Sequence, residues 1–212
     1  MTAIRGAYLV AAESAAALLD DPAVAAGWDK PSALVGFSVG GLAAHLATQV
    51  LFVPRTLAQA APEGEPVTLL GHYGRVTWLG ADLDEEANVA IRRGGEQVAT
   101  DGAAALVENT RAAVREIRGL LATEPDDRVV RGPAGPWPLR LDDFLVTRMM
   151  EIAVHSDDLA YSVGIGTPDL PSSVLDPVVD LLSHLAVRRH GATSVLRALS
   201  RAERAPTTIS AF

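Results

Sequence analysis

Apolar residues recur three and four positions apart through most of this chain, the period of a helix face packed on a core. In the first segment Ile4, Tyr8, Ala11, Ala15 and Leu18 keep that period, and Thr2 stands where a helix cap belongs. A second helix is predicted from Ser38, its N-cap, toward Gln59, with Val39, Leu42, Leu46, Val50, Val53 and Leu57 as its core stripe. His45 falls on the flank of that stripe, and Pro54 is expected to kink the helix or end it early. A third helical pattern runs from Asp84 to Leu121. Gly94 and Gly95 weaken its middle, and Thr100 or Asp101 is placed to cap a second half. The fourth helix covers 144–162 and follows Asp142 and Asp143, acids suited to the positive end of its dipole. Two further amphipathic stretches, 172–190 and 192–202, complete the chain.

Between these helices lie segments without a period. Residues 21–37 are rich in Pro, Gly and Ala, 61–83 carry several breakers, and 123–140 centre on GPAGPWP with a short extended candidate at 128–131. The stretch GIGTPDLP ends the fourth helix. With four long helical segments and no strand ladder, the fold class expected is an all-α bundle over 1–164, with a helical C-terminal extension over 165–212. Bundle cores also build metal sites from facing helices.

The fourth helix carries its polar residues in an unusual place. Arg148, Glu151, His155, Asp158 and Ser162 follow one another at steps of three, four, three and four, forming one seam beside Leu145, Met149, Ile152 and Leu159. A solvated helix spreads its charges over a wide outer arc. Burying an ion costs several kcal/mol unless it is paired or coordinates a metal, so the seam points to an internal polar site. Glu151 and His155, one turn apart, can reach one ion, and His45 from the second helix supplies a third ligand. Three protein ligands leave a fourth position open, the arrangement of a catalytic zinc site, although nickel and other divalent ions accept the same donors. Arg148 and Asp158 flank these ligands, either orienting them and a charged substrate or forming an ordinary intrahelical network.

Composition narrows the chemistry. The 212 residues suffice for a core that buries roughly 70% of the unfolded surface. The chain has no cysteine, so any sulfur nucleophile has to come from outside. A net charge of -8 and the lack of a basic cluster argue against nucleic-acid binding. No apolar run suits a secretory leader or a membrane span, and the expected location is cytoplasmic. Gly94-Gly95 and the other glycine clusters lack the strand-to-helix context of a phosphate loop. His72 reads as a solvated loop residue, and His184 and His190 as surface or helix-end residues. Trp28, Trp78 and Trp137 are expected to pin loops onto the bundle, with Trp78 or Trp137 also able to wall a cleft.

PSALVGFSVGGLAAHLA around His45 and TRMMEIAVHSDDLAYSVG around Glu151 and His155 resemble the signature regions of the mycothiol-dependent maleylpyruvate isomerase N-terminal family, within the DinB-like superfamily. The resemblance spans approximately residues 3–164, and its most specific part is R-x-x-E-x-x-x-H-x-x-D-L-A from Arg148 to Ala160. It implies a DinB-like four-helix bundle holding a divalent metal, usually zinc, through His45, Glu151 and His155. It also implies mycothiol as the thiol cosubstrate, activated at the open metal position to attack an electrophilic small molecule, giving S-transfer or an isomerised double bond. Arg148 is then expected to hold a carboxylate, and Asp158 to orient a ligand histidine or move a proton. The isomerases carry a second, mixed α/β domain over the cleft, whereas the 48 residues after Gly164 read here as helices. That difference favours a general S-transferase over maleylpyruvate isomerisation. Two alternatives from other classes are a non-catalytic metal-binding or regulatory module, and a structural helical protein that dimerises through its C-terminal helices.

Overall fold

The computed structural model describes residues 1–77, 79, 80, 82 and 84–212. The expectations for Trp78 lie outside the described residues. Helices α1 (Ala3–Leu19), α3 (Val39–Leu57), α6 (Ala103–Thr123) and α7 (Leu141–Val163) form the bundle. Here α1 packs against α6 and α7, and α3 packs against the same two. Their facing stripes, including Tyr8, Leu19, Leu42, Leu46, Ile117, Leu121, Leu145 and Met149, make a single core. This is the all-α architecture read from the sequence.

Local chemistry sets the helix ends. The Thr2 hydroxyl accepts from the Arg5 amide at the start of α1, and the Ser38 hydroxyl accepts from the Gly41 amide at the start of α3. Helix α7 ends at Gly164, whose left-handed conformation (φ 72°, ψ 33°) lets its amide bond back to the last turn. Arg5 itself is wholly buried; its guanidinium donates to Asp142 at 3.0 Å and to the carbonyls of Glu124 and Pro125 at 2.6 and 2.7 Å. A buried arginine with an acid and two carbonyls on its fork ties α1 to the ends of α6 and α7.

Several connections hold more structure than their patterns foretold. Segment 21–37 contains a short helix α2 (Pro22–Gly27), and 61–83 contains α4 (Leu69–Tyr73), capped by the Thr68 hydroxyl. The third helical pattern is two helices, α5 (Glu86–Ala99) and α6. Neither Thr100 nor Asp101 caps the second: Gly102 stands at its N-cap with φ 83°, a conformation open to glycine at no steric cost. Helix α3 continues one turn beyond Pro54 to Leu57, and the Ala58 amide still donates to the Pro54 carbonyl. The extended candidate becomes β1 (Val129–Arg131), paired antiparallel with β2 (Pro138–Arg140), and Val67 forms a bridge to Leu139 beside them. Helix α8 (Ser172–His190) buries Val174, Val178, Leu181 and Leu185, packing on α7 and α1, and α9 (Ala192–Ser200) follows. Among the described residues, no helix is long and apolar enough to cross a membrane.

Candidate metal centre

His45 sits two turns into α3, and the start of that helix is fixed from outside. The carboxylate of Glu96, on α5, accepts from the Ser38 amide at 2.8 Å and from the Ser38 hydroxyl at 2.9 Å. Helices α3 and α5 approach so closely that a Cβ on Gly95 would lie 2.7 Å from the Gly41 carbonyl oxygen. Glycine at 95 is therefore a packing requirement.

From α7, Glu151 and His155 face this turn of α3. The Glu151 Oε2 lies 3.6 Å from His45 Nε2 and 3.2 Å from His155 Nε2. The two imidazole rings meet edge to face with centroids 4.7 Å apart, and one donor atom from each of the three side chains falls within 4.8 Å of the others. A tetrahedral zinc with bonds near 2.0–2.1 Å separates its ligands by roughly 3.3 Å, so the two carboxylate distances match the edges of such a site. The donor set of two imidazoles and a carboxylate also fits a divalent ion. Side-chain exposures of 12–16% leave the cluster largely buried yet reachable.

The surroundings hold each group in place. Nδ1 of His155 donates to Asp158 at 2.9 Å, which turns Nε2 toward Glu151. Burial opposes charge on all three groups. For Glu151 the hydrogen bonds from His155 and His45 and the charges of His155 and Arg148 outweigh burial, and its carboxyl is held well below the usual range. Burial likewise lowers His155, but Asp158 and Glu151 prevail and push it up to about 9. In His45 burial wins, and its pKa falls below that of a free imidazole.

Arg148 is 8% exposed, and no carboxylate lies within 4 Å of it among the described residues. Its Nε donates to the Thr147 hydroxyl at 3.1 Å, its Nη1 to Oε1 of Gln49 at 2.5 Å, and its guanidinium lies 5.5 Å from the centre of the Phe144 ring. Gln49 in turn donates to the His45 carbonyl at 2.9 Å, so one amide bridges a metal-ligand candidate and the buried cation. Sequence reading missed Gln49, although its spacing of four from His45 placed it on the same face of α3. Ser162, the last member of the seam, leaves the cluster: its hydroxyl donates to the Asp158 carbonyl and accepts from the Ala33 amide.

His72 corrects an expectation. It is 4% exposed, not solvated, because its Nδ1 accepts from the indole of Trp137 at 2.9 Å while its ring packs edge-on against Tyr73. Burial holds its pKa down to about 4. Trp137 pins the connection as expected. His184 is exposed, and His190, at the end of α8, faces the Ser210 carbonyl.

Residues 9–160 match the model of the mycothiol maleylpyruvate isomerase N-terminal domain. No curated protein and no solved structure matches the chain. The match spans most of the bundle and all three converging donors, and the chain belongs to the mycothiol maleylpyruvate isomerase N-terminal domain family.

Proposed function

We propose that this protein is a metal-dependent enzyme that activates a low-molecular-weight thiol, mycothiol, for S-transfer to an electrophilic small molecule. The observation that carries the reading is the convergence of His45, Glu151 and His155 from two helices on one point. These three side chains would hold the ion, and zinc suits the donor set best. A divalent ion held there supplies positive charge that lowers the pKa of an incoming thiol toward neutrality. The family supplies the thiol, and a chain without cysteine supplies no thiol of its own.

The remaining roles belong to protein groups. Asp158 keeps the His155 ring oriented and accepts its Nδ1 proton as a hydrogen bond. Arg148, buried and without an acidic partner among the described residues, offers its free guanidinium edge to a carboxylate on the electrophile. Gln49 holds that guanidinium against the α3 backbone. In this proposal the working unit is 1–164, and 165–212 extends it.

Elemental analysis of the purified protein beside Glu151→Ala, followed by thiol-conjugation assays with mycothiol and carboxylated and neutral electrophiles, tests the reading. Wild type should retain about one divalent ion per chain and consume thiol, with both lost in the variant. A metal-free wild type would overturn it. A loaded protein without thiol turnover would support a binding or regulatory module instead.

A further inference from the structure

A cavity of about 430 Å³ opens between the last two turns of α3 and the turn that joins β1 to β2. Phe52, Arg55, Thr56 and Gln59 form one wall; Arg131, Gly132, Pro133, Gly135 and Pro136 form the other. Two arginines and no acid line it, in a protein of net charge -8. Among the described residues neither guanidinium is ion-paired, and Glu124 at this end of the bundle is paired with Arg128 at 3.2 Å.

The backbone of both walls is held by contacts within the protein, while the Arg55 and Arg131 side chains are exposed. Arg128 donates to the carbonyls of Leu57 and Gln59 at 3.2 and 2.9 Å, tying the end of α3 to the ribbon. On the opposite wall, Pro133 and Pro136 restrict the turn. A Cβ on Gly135 would lie 2.2 Å from the Trp137 ring and one on Gly132 would lie 3.2 Å from Phe144, so both glycines are backed by aromatic rings. Trp137 is anchored on His72. The ordering cost at binding then falls mainly on the two arginine side chains.

We infer that this cavity is a binding site for a small organic oxyanion, a compact phosphate or carboxylate group on a flat apolar body. The guanidinium forks of Arg55 and Arg131 match the oxyanion. Phe52, Pro133 and Pro136 match the body, and the volume lies within the range of small-molecule sites. The site is separate from the metal donors: Phe52 follows His45 by seven residues along α3, roughly 10 Å of helix rise.

Titration calorimetry at low ionic strength with phenyl phosphate, benzoate and inorganic phosphate tests the inference on wild type, Arg55→Gln, Arg131→Gln and Glu151→Ala. Saturable binding of phenyl phosphate or benzoate is expected, weakened about tenfold by either arginine substitution and unchanged in Glu151→Ala. Stronger binding of phenyl phosphate assigns the site to phosphate esters, and stronger binding of benzoate assigns it to carboxylates. Inorganic phosphate binding as well as either aromatic anion removes the apolar body from the assignment and overturns it. So does an absence of saturable binding, affinity that survives both arginine substitutions, or affinity lost in Glu151→Ala.

Discussion

The indole N–H of Trp137 donates to Nδ1 of His72 over 2.9 Å, joining the turn before β2 to the short helix α4. An imidazole that accepts at Nδ1 cannot be protonated there without losing the bond. Burial already disfavours its charge, so His72 titrates near 4 in the folded protein, against 6.5 when free. Between those values the unfolded chain binds the extra proton, and stability therefore rises with pH. The contribution is complete above about pH 6.5 and is lost as the pH falls toward 4, amounting to roughly 3 kcal/mol at the acid end. Chemical denaturation of wild type and His72→Gln across this window checks it. The variant should have a shallower slope; equal slopes in the two proteins would rule the linkage out.

Asp158 is expected to act on metal retention through His155. Replacing its carboxylate with a neutral amide weakens the charge-assisted bond that orients the ring and lowers the basicity of Nε2, so Asp158→Asn should lower affinity for a divalent ion about 10–100-fold. Both candidate ligand histidines would have to be neutral at the coordinating nitrogen, and His155 is held protonated up to about 9. Affinity should therefore climb with pH through neutrality. Competition with a chromogenic chelator at several pH values measures both effects, and a flat profile would contradict the ligand assignment.

Gln49 and Arg148 form a buried hydrogen-bonded pair with no carboxylate within 4 Å of the guanidinium among the described residues, and their coupling is measurable. Gln49→Leu leaves the guanidinium facing apolar surface and should cost about 1–3 kcal/mol. Adding Arg148→Met removes the stranded charge, so the double variant should be less destabilised than the two single effects combined. Strict additivity in urea unfolding would mean that the two side chains do not depend on each other.

How far the chain could be read follows from the range of each interaction. Helix periods, the Ser38 and Thr2 caps and the end of α7 at Gly164 depend on residues within one or two turns, and the sequence carries them directly. The seam from Arg148 to Asp158 was legible for the same reason, while its convergence with His45 required two helices to face each other. Contacts between remote segments left weaker marks. Nothing near His72 announces that an indole 65 residues away will bury it, and Pro138–Arg140 carries little strand signal without Val129–Arg131 beside it. Thr100 and Asp101 are good capping residues, but the chain turns at Gly102, where a positive φ outweighs side-chain capping.

Gly94 and Gly95 look alike in sequence and should answer oppositely to the same substitution. Both lie inside α5, where a glycine costs backbone entropy relative to alanine. A Cβ at 94 meets nothing within 4 Å, so Gly94→Ala should stabilise the protein by about 0.5–1 kcal/mol. At 95 the added carbon would sit 2.7 Å from the Gly41 carbonyl oxygen and 3.1 Å from the Phe37 ring, forcing α5 away from α3. Gly95→Ala should cost about 1–3 kcal/mol. Because Glu96 anchors the Ser38 cap, it should also disturb the turn that carries His45 and lower metal retention. Thermal unfolding and metal content of the two variants decide the matter. A Gly95→Ala protein as stable and as metal-loaded as wild type would show that α3 and α5 do not need this close approach.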